Sequence, residues 1–150
     1  MNRRIRSQWE RWYPLLFGVV ALVFYVSLER NFSYSLPESL DNVFSTSTTL
    51  SGIVIGFLIT AKSILFSIDD KYIIKKLKET NTYNKLINYF MSAIQYAFIL
   101  AFISLLGLFL DFKSPSLFHK ITFAIWIFSL VTASSSCYRV IDVFSGILKS

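Results

Sequence analysis

Residues 86–110 read LINYFMSAIQYAFILAFISLLGLFL, an unbroken stretch without a charged side chain. As a helix rising 1.5 Å per residue it is about 37 Å long, more than the roughly 30 Å hydrocarbon core of a bilayer. Its apolar residues are continuous. A spanning β-strand would be shorter and would alternate in polarity. A helix also satisfies its own backbone donors and acceptors, which lipid cannot do for it. The stretch therefore predicts a membrane-crossing helix.

Three further segments resemble it. Residues 12–28 carry no charge, and Trp12, Tyr13 and Tyr25 suit the two membrane–water interfaces. Residues 43–68 contain one charge, Lys62, and residues 121–138 contain none. The 150-residue chain is 54% hydrophobic and only 16% charged, against about a quarter charged in soluble domains. Pro14 is expected in a first helical turn, where its missing N–H costs nothing. The basic start before residue 12 could imitate a secretory leader, but Val26-Ser27-Leu28 ends the run without a small-x-small cleavage pattern. The expected fold is all-α: one domain over residues 1–150, an integral membrane four-helix bundle of spans 12–28, 43–68, 86–110 and 121–138.

Charge sets the expected orientation. Eleven basic residues fall on the side of the termini, in the flanks and in the link 69–85; only Arg30, Lys113 and Lys120 fall opposite. Short positively charged loops stay in the cytoplasm, so both termini are expected there, in a multi-pass protein of the cell inner membrane. Within the link, Lys71, Lys75 and Lys78 share one helical face, and span two is expected to continue as helix to about Glu79. These lysines either rest on anionic headgroups or dock a cytoplasmic partner protein. Nucleic acid is disfavoured, because only Tyr72 and Tyr83 accompany the lysines as stacking platforms.

Span two carries the densest pattern. Thr48, Gly52, Gly56 and Thr60 follow one another at i, i+4 spacing, with Ser63 on the same side. Small residues let helices approach closely, so this stripe either packs on another span or lines a wet path in a homo-oligomer. The Ala93, Ala97, Ala101 face of span three is its expected mate. Lys62, near the stripe's edge, either snorkels to the headgroups, forms a charged ring at a pore mouth, or pairs with Asp69, Asp70 or Asp142. Gln95 is expected to hydrogen-bond another helix, and Arg139 to pair with Asp142 one turn away.

One cysteine and one histidine leave no cysteine–histidine metal set. There is no phosphate-binding glycine loop, nucleophile elbow or zinc-helix motif. No catalytic residue, cofactor or metal is expected, and the chain reads as a non-enzyme. No span holds a deep carboxylate to carry protons.

In size, span count, cytoplasmic termini and the run Ser51-Gly52-Ile53-Val54-Ile55-Gly56-Phe57-Leu58-Ile59-Thr60, the chain resembles the RexB-like inner-membrane proteins of phage exclusion and abortive infection. The membrane subunit of the Kiwa defence system is a second four-span protein of similar kind. The resemblance implies an antiviral defence role, as an ion channel or membrane-perturbing effector or as a sensor that serves a partner. The basic link Lys71–Lys85 is longer than in that pattern, and no functional residue carries over.

Overall fold

The computed structural model describes residues 3–32, 40–67, 82–110 and 117–148, with side chains placed over 12–31, 40–67, 83–110 and 117–145. Four helices account for nearly all of them: α1 Arg3–Phe32, α2 Leu40–Ser67, α3 Thr82–Leu108 and α4 Leu117–Leu148. Each is long and apolar enough to cross a membrane. α1 and α4 outrun their apolar stretches at both ends, whereas α2 and α3 do so only at their N-termini, and α3 ends at Leu108, two residues short of its stretch. Pro14 consequently lies well inside α1 and not in its first turn. There its ring removes a backbone hydrogen bond, and it is fully buried.

The helices pack as an open row in the order α1, α4, α3, α2. Each neighbouring pair is in contact, and among the described residues no Cα of α1 comes within 8 Å of a Cα of α2 or α3. Two apolar clusters hold the row. Near the end that carries the termini, Ile55 and Leu58 of α2 meet Leu86, Phe90, Ala93 and Ala97 of α3, with Val140 of α4 alongside. At the other end Leu40 and Phe44 of α2 join Leu100, Phe123 and Trp126.

Two glycines make this packing possible. At Gly18 a Cβ would collide with Thr132 Oγ1 and come within 2.8 Å of the Phe128 ring, so α1 lies hard against α4. At Gly107 a Cβ would come 2.9 Å from the Phe44 ring. The bare backbone of α3 thus lets Phe44 reach across to Trp126, edge to face at 5.6 Å. Trp126 also lies flat on Phe123 at 5.5 Å and donates its indole N–H to Ser104 Oγ at 3.0 Å. Tyr13 donates to the carbonyl of Ser135 at 3.2 Å, fastening α1 to α4 at the termini end. A Lys120–Glu29 ion pair of 2.7 Å joins the same helices at the opposite end.

Large apolar side chains cover the outside. Val20, Phe57 and Phe102 are each about two-thirds exposed (66%, 68% and 65%). A soluble monomer does not present continuous apolar surface on this scale. Four helices, each long and apolar enough to cross a membrane, carry this surface.

Candidate functional site

The small-residue stripe does not meet α3. The face of α2 that does so carries Phe44, Ser47, Ser51, Ile55 and Leu58, all buried. Gly52 and Gly56 are exposed, and a Cβ at either would find nothing within 4 Å. Thr60 and Ser63 are exposed as well, and Thr48 is half-buried. The expected mating of this stripe with the alanine face of α3 is therefore corrected. Ala93 and Ala97 are buried, but against the larger residues of α2. A small residue on α3 accommodates Ile55 and Leu58 better than a second small residue would, because close packing leaves no void.

The hydroxyls of the stripe are already engaged. Thr48 donates to the Phe44 carbonyl at 2.9 Å, Thr60 to Gly56 at 2.9 Å and Ser63 to Ile59 at 2.9 Å. Each donor is spent on its own helix, so the face can meet apolar surroundings without a stranded O–H.

Lys62 points away from the stripe. Its ammonium donates to the thioether sulfur of Met91 on α3 at 2.8 Å and lies 5.7 Å from the Phe66 ring centre. It sits at the α2–α3 seam. Lys71, Lys75 and Lys78, the expected helix to Glu79, and Asp69 and Asp70 lie outside the described residues.

A second feature lies at the termini end, over α4. Here α1 and α3 flank α4 without closing on each other, leaving a half-open groove of about 850 Å³. Trp12 and Leu15 form one wall; Lys85, Asn88 and Gln95 line the other, and Arg139 contributes from α4. Gln95 is thus exposed on a groove wall. Arg139 is only 5% exposed, and its guanidinium carbon stands 4.3 Å over the Tyr89 ring. That is cation–π distance. Arg139 turns inward over α3, whereas Asp142 is exposed.

The groove, Gly18 and Gly107 were not singled out by sequence reading. Residues 85, 88, 92 and 95 do recur at helical spacing, and that polar stripe was the available signal. Among the described residues no group of three or more histidine, cysteine or carboxylate side chains gathers to hold a metal. Comparison with known proteins gives no matching family model, curated protein or solved structure.

Proposed function

We propose that this chain is a non-enzymatic protein of the bacterial inner membrane, with both termini cytoplasmic, that assembles with copies of itself and permeabilises the membrane as an antiviral effector. One observation supports assembly: the Gly52–Gly56 face of α2 is open, and its hydroxyls are satisfied internally. Such a face offers a second helix backbone-to-backbone approach and dispersion contact that lipid tails fill less well. The defence role rests on the resemblance to phage-exclusion proteins, and the orientation on the eleven-to-three split of basic residues.

Planar-bilayer recording of the purified protein tests permeation. The expected result is a current that Gly56→Leu abolishes by blocking assembly. Absence of current from folded, assembled protein would refute it. Cysteines placed at Ser33 and Ser116 in a Cys137→Ser background test orientation. They should react with an impermeant thiol reagent from outside intact cells, while one at Thr80 should not.

A second reading has its own support. Lys62 lies at the α2–α3 seam and the stripe's hydroxyl donors are committed, which weakens the case for a charged, hydroxyl-lined path. The chain then serves as a membrane anchor or sensor, recruiting a cytoplasmic protein through Lys71, Lys75 and Lys78. Changing those three to Glu should abolish capture of the partner and leave the fold intact.

A further inference from the structure

The groove over α4 combines three properties that an ordinary lipid-facing crevice lacks. Its charged lining, among the described residues, is wholly basic: Lys85 at its mouth and Arg139 from α4. Arg139 is held in place by burial and by the Tyr89 ring. Its α3 wall carries a polar line, Asn88, Ser92 and Gln95 following Lys85, beside Tyr89, Met91 and Tyr96. From Lys85 to Gln95 is ten residues, about 15 Å along the helix. That distance runs from the headgroup level into the upper acyl region of one leaflet. Exposed amides at that depth are costly unless something polar accompanies them. The facing wall, Trp12 and Leu15, is apolar apart from the indole N–H. The volume, about 850 Å³, lies in the range of sites for small organic molecules.

We infer that this groove binds one anionic glycerophospholipid from the cytoplasmic leaflet. Its phosphodiester lies between Lys85 and Arg139. Its ester carbonyls accept from Asn88 and Gln95, and one acyl chain runs along Leu15. Basic pockets between membrane helices on the cytoplasmic side bind anionic headgroups in this way. The inference rests on the multi-pass reading and its orientation, but on neither self-assembly nor permeation.

Native mass spectrometry of the full chain, released from micelles containing equal phosphatidylglycerol and phosphatidylcholine, tests it. Wild type should retain one phosphatidylglycerol in preference to phosphatidylcholine by about tenfold. Lys85→Glu, on an exposed side chain that the fold does not need, should bring the two lipids level. Lys120→Gln, at the opposite end, should leave the preference unchanged. Equal retention by wild type, or a preference that survives Lys85→Glu, overturns the inference. Displacement of the lipid by millimolar inorganic phosphate also overturns it, since the site would then take a free anion. The same spectra report oligomeric state, so a monomer that still selects phosphatidylglycerol supports this site while removing the assembly proposed above.

Discussion

The α1–α4 seam and the outer face of α2 use the same residue for opposite ends. Gly18 lies where a methyl group would strike Thr132 and Phe128, so its lack of a side chain is consumed in bringing two helices of one chain together. Gly52 and Gly56 face open space. Glycine inside a helix is worse than alanine by about 1 kcal/mol, and at Gly18 close packing offsets that cost. At Gly52 and Gly56 nothing among the described residues does. A small residue is therefore informative about packing only once its neighbour is known.

The largest expected effect separates these cases directly. Gly18→Leu should destabilise the protein by about 3 kcal/mol or more, at or beyond the upper end of overpacking costs, because both Thr132 and Phe128 are rooted in α4. Thermal unfolding in detergent, followed by circular dichroism, measures it. A wild-type melting curve would show that α1 does not dock at this seam. Gly107→Ala should cost about 1–3 kcal/mol by the same measurement, since the Phe44 ring must retreat from Trp126. Trp126→Phe keeps a ring but removes the indole donor to Ser104, and should cost about 1 kcal/mol. Its unfolding midpoint should fall less than that of Gly18→Leu. The smallest effect on the fold belongs to Gly56→Leu, within about 0.5 kcal/mol of wild type. Its effect should appear instead in sedimentation, as a shift from oligomer toward protomer. A strongly destabilised but still monomeric Gly56→Leu protein would erase the contrast between the two faces.

Much of the fold could be read from residues alone. Uncharged runs of helical length have few alternatives in lipid, so the four helices and their order along the chain followed from continuity and length. Their lateral arrangement did not. The Thr48–Thr60 stripe announced a helix face suited to close approach, but not which helix would take it. The face that packs, Phe44 to Leu58, mixes serines with large apolar residues and looks no different from lipid-facing surface. Lys62 shows a further limit. Its place near the stripe was legible, whereas its turn toward Met91 depends on α3 being next door. Arg139 likewise had a nearby acid in the sequence and a better-placed aromatic ring in space. The polar stripe 85, 88, 92 and 95 was legible, but the groove it lines required knowing that α1 and α3 both flank α4, a fact of topology.

The open row has a consequence for how the protein is made. Among the described residues the backbone of α1 packs against that of α4, and the Tyr13–Ser135 hydrogen bond joins positions 122 residues apart. Of these four helices, the earliest in the chain therefore docks only on the latest. During translation α2 and α3 can pair as soon as both have been made, whereas α1 waits for its seam until α4 arrives. A ribosome stalled before Leu117 would leave a docked hairpin beside an undocked helix. The Gly18 backbone, which Thr132 and Phe128 cover in the complete row, would then be uncovered.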